Sequence, residues 1–213
     1  MLERFTWFKQ SAYRWSCEGI AVYIDPWSVT GDVPADVIFI THAHFDHFQP
    51  EVIARISKAT TKVVAPHDVA NELSGDVIAV SPGDLVEVAG VKAQAVPAYN
   101  VAQERLQMHP KANGWVGYVL GLGGTTCYHA GDTDHVPELS QVSADLAFLP
   151  IGGTYTMDAS EAAGLARSIS PQVAVPMHYG FVVGSPSEAE RFRREAAPVV
   201  VETLTPENPF ERA

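Results

Sequence analysis

Three imidazoles and one carboxylate fall within six residues in the stretch Thr41-His42-Ala43-His44-Phe45-Asp46-His47. Polar nitrogens and a charge at the mouth of a buried strand are costly to desolvate, and coordination of a metal ion gives all four a use at once. His42 and His44 stand two apart, so an extended backbone points both to the same side, where they can share one ion. Asp46 and His47 follow after a bend and can point to a neighbouring position, where a second ion would sit. A chance histidine-rich surface loop or a single structural zinc would be the plainer reading. A structural zinc, however, favours paired cysteines, and the chain has only Cys17 and Cys127, far apart.

A buried strand must deliver this motif, and the apolar run Val37-Ile38-Phe39-Ile40 before it predicts one over 36–40. Upstream, aromatic and β-branched residues broken by Glu18-Gly19 predict an opening meander with strands Ala12–Cys17 and Ile20–Ile24, which Asp25-Pro26 ends. Downstream, the patterning predicts helical turns over 50–57 and 68–73, strands over 62–65 and 77–80, and hairpins pairing 84–88 with 91–96 and 114–120 with 125–129. His67, between a strand and a helical turn, reads as a surface histidine. A strand over 145–150 is followed by Asp158-Ala159-Ser160-Glu161, a capping box opening a helix with Ala162, Leu165, Ala166 and Ile169 on one face. A strand over 172–176, a helix over 187–197 stopped by Pro198, and a strand over 199–203 complete the chain, with a polar tail covering an edge after Pro206.

The pattern His-x-His-x-Asp-His after a hydrophobic strand resembles the signature of the metallo-β-lactamase fold superfamily. Tyr128-His129-Ala130-Gly131-Asp132-Thr133 and Val175-Pro176-Met177-His178-Tyr179 agree with it in order. Ile24-Asp25-Pro26-Trp27 and Leu149-Pro150-Ile151-Gly152-Gly153 narrow the resemblance to the small hydrolases similar to ascorbate-6-phosphate lactonase. The resemblance implies an α+β fold, a four-layer αββα sandwich of two mixed sheets with helices on the outer faces, as one domain over residues 1–213. It implies two divalent ions, zinc foremost and manganese or iron tolerated by the same ligands. His42 and His44 would hold one, Asp46, His47 and His178 the other, and Asp132 would span both with its two carboxylate oxygens. Asp25 would brace the metal loop by hydrogen bonds, although a plain strand-ending turn is an equal reading.

One position departs from the pattern. Many superfamily members place a histidine ligand where this chain has Asn100, whose neutral amide oxygen is a poor ligand. Either the loop folds back so that His109 completes the first set, or the site is asymmetric with solvent in that place. His109 as an exposed or substrate-binding residue is the remaining reading. His129 is expected to orient a ligand, His135 to line the pocket, and Tyr155 to offer a hydroxyl to substrate or to act as an aromatic plug.

The expected chemistry is hydrolysis of an ester, lactone or phosphoester of a small metabolite by a metal-activated water or hydroxide, with Asp46 and Asp132 as catalytic carboxylates and Asp46 also able to accept a proton. The alternative is a non-catalytic metal-binding or sensor module on the same fold. A redox di-iron protein is a further rival, but the resemblance would then call for glutamate at His44. Hydrophobic residues at 46% and a net charge of −11 describe a globular acidic protein without general affinity for nucleic acid or anionic membrane. A small anionic substrate could still meet a locally positive metal site. The start lacks a signal-peptide layout and no apolar run reaches membrane length, so a cytoplasmic location is expected, with both cysteines as thiols. The sequence leaves oligomeric state open.

Overall fold

The computed structural model describes residues 1–212. Strands β1 (Phe5–Lys9), β2 (Ala12–Cys17) and β3 (Ile20–Ile24) form the expected antiparallel meander. The chain then crosses into β4 (Ala35–Phe39), helix α1 (Pro50–Ile56), β5 (Ser57–Pro66), helix α2 (His67–Ala70) and β6 (Asp76–Val80). Together these strands make a six-stranded sheet in the order β1-β2-β3-β4-β5-β6, parallel from β3 onward. The expected strand over 62–65 is longer in the structure, because α1 hands its chain directly to β5 at Ser57.

The second sheet repeats the same plan. Strands β7 (Leu85–Val88), β8 (Val91–Pro97), β9 (Val116–Leu122) and β10 (Thr125–His129) run antiparallel. After β10 the chain continues through β11 (Leu146–Pro150), helix α3 (Ala159–Ile169), β12 (Val173–Met177), helix α4 (Glu188–Glu195) and β13 (Val200–Val201), all added in parallel. The strand expected over 199–203 is reduced to these two residues. The helix expected over 187–197 is shorter, and Ser187 gives it no side-chain cap, its hydroxyl instead meeting that of Ser185. At α3 the capping box does form: Glu161 N donates to Asp158 Oδ1 at 2.8 Å and Asp158 N to Glu161 Oε2 at 2.9 Å.

The two sheets pack face to face, with Trp7, Val37 and Phe39 meeting Val116, Tyr118, Leu120 and Phe148 in one core that continues beneath α3. The outer face of the first sheet, including Ile38, Ile40 and Val63, is covered by Val52, Ile53 and Ile56 of α1 and Val69 of α2. Alternating burial along β8 reflects this one-sided cover, with Val91, Ala93 and Ala95 inward and Lys92 and Gln94 outward. The layers are therefore helices, sheet, sheet, helices. Tyr118 ties the sheets together where it matters, its hydroxyl donating to Ile40 O at 2.8 Å immediately before the metal motif. The tail lies along the free edge of β1, with Glu207 N and Asn208 N donating to Trp7 O and Phe8 O. No helix among the described residues is long and apolar enough to cross a membrane.

Candidate metal centre

The parallel strands β4, β10 and β12 all end at one rim, and each releases part of the cluster there: residues 41–47, Asp132 and His178. Crevices beyond the carboxyl ends of parallel strands are the usual place for a site in such sheets. The turns are tight. Gly131 takes φ +62°, and a Cβ there would come within 3.0 Å of Thr41 Cβ and Val116 O. Asp25 and His178 are non-glycine residues with left-handed backbones, φ 47° and 57°, a local strain that the surrounding contacts must hold.

Asp25 is fully buried and organises the motif. Its Oδ1 accepts Thr41 N at 2.7 Å, while Oδ2 accepts the Thr41 hydroxyl and lies 2.7 Å from His47 Nδ1. The Thr41 oxygen, having given its proton to Asp25, can only accept from His42 Nδ1 at 2.9 Å. Both rings thus carry their proton on Nδ1 and turn Nε2 into the site. His109 does the same, with Nδ1 at 2.9 Å from Asn100 Oδ1.

The inward atoms form two groups whose possible ligand atoms lie within 4.8 Å of one another: His42, His44, His109 and Asp132 in one, Asp46, His47 and His178 in the other. Asp132 lies between them. Its Oδ2 is 3.2 Å from His109 Nε2 and 3.1 Å from His178 Nε2, and its Oδ1 is 3.3 Å from His47 Nε2. The cluster fits divalent ions for two reasons. His47 Nε2, His109 Nε2, His178 Nε2 and Asp132 Oδ1 are buried without a hydrogen-bond partner, a cost that an ion would remove. His42 Nε2 also faces His44 Nδ1 at 3.1 Å with its own proton on the far side of the ring, so a shared cation suits the pair. Trp115, which carries no local signal in the sequence, packs against His42, His44 and His109 and shields the first group.

The expected residues sort clearly. Of the two outcomes for the departure at Asn100, the structure shows the folded-back loop, with His109 buried in the first group. Asn100 itself is neither ligand nor substrate contact, because its amide is fully engaged. Its oxygen accepts His109 N and Nδ1, and its nitrogen donates to Asp134 Oδ1 at 3.0 Å and Tyr155 O at 3.1 Å. His129 does not touch a ligand side chain: it donates to Ser11 O and accepts from Gly131 N, bracing the turn before Asp132. His135 does not line the pocket but is exposed, its ring beside Gly164 of α3. Tyr155 lines the cleft over the two ligand groups. Three further residues carry no local motif. Gln10, in the β1–β2 turn, donates to Asp46 Oδ2 at 3.3 Å, and its carbonyl accepts His178 N. Asp134 and Arg105 hold the His109 loop, with Arg105 Nε 2.6 Å from Asp134 Oδ1 and its Nη2 2.7 Å from Glu161 Oε1.

The two groups differ electrostatically. Burial, then the charge of His47, holds His42 well below its ordinary value, and burial and His109 lower His44. At His178 burial pushes downward too, but Asp132 and Asp46 outweigh it and raise the ring to about 9. His47 is raised well above its usual value against burial by Asp132, Asp25 and Asp46. Asp46 is held at about 2, burial being overcome by His47 and His178. At neutral pH the metal-free second group therefore carries ring protons that His42 and His44 lack. An ion enters the second group only as those protons leave, so its uptake weakens as pH falls below about 9. Zinc titration of the metal-free protein in buffers of different ionisation enthalpy should show about one to two protons released for that group. No release would refute this protonation pattern.

A two-sheet sandwich with a histidine and aspartate cluster at the strand ends defines a class, and the comparisons agree: the chain belongs to the metallo-β-lactamase superfamily, the family model described as "Beta-lactamase superfamily domain" matching residues 4–178. Among curated relatives it is 31% identical to the UPF0173 metal-dependent hydrolase of Methanopyrus kandleri over 98% of this chain and 100% of that one. It is 36% identical to that of Thermococcus onnurineus over 80% of each. A solved structure from Parabacteroides distasonis is 31% identical and superposes with a TM-score of 0.85 over 95% of this chain and 93% of that one. Igni18, a metallo hydrolase of Ignicoccus hospitalis, is 25% identical with a TM-score of 0.76, over 96% and 95%. The family is one of metal-dependent hydrolases.

Proposed function

We propose that this chain is a two-ion hydrolase of a small-molecule ester, lactone or phosphoester. The observation that carries the reading is the placement of Asp132 between two ligand groups whose inward nitrogens are buried and unpartnered. Bound divalent ions supply a water whose pKa falls from about 15.7 towards about 7, which makes a nucleophile available at neutral pH. Zinc suits the imidazole and carboxylate set best, with manganese and iron next.

The protein's own groups do the rest. Thr41, Asp25 and Asn100 fix the rings of His42, His47 and His109 so that each presents the same nitrogen. Asp132 supplies negative charge to both groups. Asp46, held at about 2, remains ionised throughout the physiological range and serves better as a ligand than as a proton acceptor. The buried turns at Gln10 and His178 close the floor of the site against bulk water. The two free thiols suit a reducing cytoplasm, and the overall negative charge disfavours nucleic acid and anionic membrane as partners.

The test joins metal analysis of the purified protein with hydrolysis of generic esters, lactones and bis-nitrophenyl phosphate, before and after chelation. Chelation should abolish turnover, and readdition of zinc or manganese should restore it. His44→Ala should lose an ion and reduce activity by more than the about 10–100-fold that loss of an outer partner costs. Undiminished activity in either case would reject the proposal, and metal binding without turnover across the panel would favour the sensor alternative.

A further inference from the structure

The cleft above the metal groups has a volume of about 220 Å³. That is below the ~300 to ~1,000 Å³ of pockets for drug-sized ligands, so the substrate is small. Beyond the ligands, its wall is made by Phe45, Met108, Tyr155 and Val182, and no lysine or arginine lines it among the described residues. Phe45 is 65% exposed and leans edge-on against Trp27. Met108 is also exposed.

Two facts turn this wall into a statement about substrate. Phe45 stands between the ligands His44 and Asp46, and Met108 directly precedes His109. The apolar surface therefore begins at the metal rim and leaves little room for a polar spacer beside the scissile bond. Nearby cations are already engaged, Lys9 with Glu211 and the Trp27 ring, and Lys111 with Glu138 and Tyr99. A phosphate carried away from the reacting centre would meet hydrocarbon with no guanidinium or ammonium to replace its water.

Resting on the hydrolase reading above, we propose that the substrate is an uncharged carboxylic ester or lactone bearing a short alkyl or aryl group on its acyl side, seated against Phe45, Met108 and Val182. In the reaction the water oxygen bonds to the acyl carbon and the acyl C–O bond breaks. One water proton ends on the departing alkoxide and the other is released to solvent, giving an alcohol and a carboxylate with no change of oxidation state.

Three metal-chelating probes test the wall without turnover: acetohydroxamate, hexanohydroxamate and phosphonoacetohydroxamate, titrated calorimetrically into the zinc-loaded protein. Hexanohydroxamate should bind about tenfold or more tighter than acetohydroxamate, in keeping with burial of its chain, and tighter than the phosphonate. Phe45→Ala should narrow the ratio between hexano- and acetohydroxamate, and Met108→Lys should shift preference towards the phosphonate. Equal affinities, or the phosphonate binding tightest to the unaltered protein, would overturn the proposal. Turnover of p-nitrophenyl hexanoate and acetate separates the two readings. The predicted binding order with no ester hydrolysed removes the hydrolase reading but leaves the apolar preference standing. Hydrolysis confined to phosphorylated lactones keeps the enzyme and removes the apolar assignment.

Discussion

Asp132→Ala is expected to empty both metal groups and to lower kcat/KM by about a hundred- to a thousandfold, the loss associated with removing preorganised charge at a reacting centre. Among the described residues no other carboxylate lies between the two groups, with Oδ1 towards His47 and Oδ2 towards both His109 and His178. Its loss also removes the main charge that keeps His178 raised to about 9 in the metal-free protein, so that ring should titrate lower. Asp132→Asn keeps the shape but offers a single neutral oxygen, and should retain at most one ion with activity still reduced. Metal stoichiometry by mass spectrometry, read beside a thermal melt to show that the variant is folded, checks both. Two ions held with ordinary affinity by Asp132→Ala would remove it from the site.

What could be read from the sequence depended on how local each feature is. His42 to His47 are contiguous, follow an apolar strand and carry their meaning in their spacing, so the motif and the strand behind it were legible together. Asp25 was ambiguous, because a carboxylate before proline ends a strand in any protein. Only the fold shows it receiving Thr41 and His47. His109 was undecidable for a stronger reason. Its place is set by Asn100, Asp134 and Arg105, residues whose partners lie 9 to 56 positions away and leave no periodic trace. The same holds for Gln10, a neutral residue in a tight turn, and for Trp115, which reads as one more core aromatic. Proximity in sequence to Asp132 misled for two rings: His129, expected to orient a ligand, spends both nitrogens on the backbone of Ser11 and Gly131, and His135, expected to line the pocket, is exposed beside Gly164 of α3. The two layers of sheet were clearer than their boundaries, since inward and outward alternation survives where a strand end moves by a few residues.

Replacing Arg105 by methionine tests whether the His109 loop is held by charge. Arg105 is buried, with Nε on Asp134 and Nη2 on both oxygens of Glu161, the residue that also closes the capping box of α3. One side chain thus fastens the loop to the helix. Breaking a buried ion pair by removing one partner costs about 3–5 kcal/mol. Here Asp134 keeps donors from Asn100 Nδ2, Val101 N and Ala102 N, and Glu161 is part exposed, so the cost should lie near the lower figure. For a chain of this size, about 3 kcal/mol corresponds to a fall in Tm of about 6–12 °C. The effect should not stop at stability. Asp134 orients the Asn100 amide that fixes His109, so the ion in the group of His42, His44 and His109 should weaken, while the ion in the group of Asp46, His47 and His178 is spared. A cobalt-loaded sample reports this directly, as loss of one part of the visible absorption at a temperature where the variant is fully folded. Arg105→Lys restores the charge but cannot reach Asp134 and Glu161 with the same planar fork, and should recover only part of both losses. An unchanged Tm with unchanged metal affinity in Arg105→Met would mean that the loop is held by its backbone contacts alone.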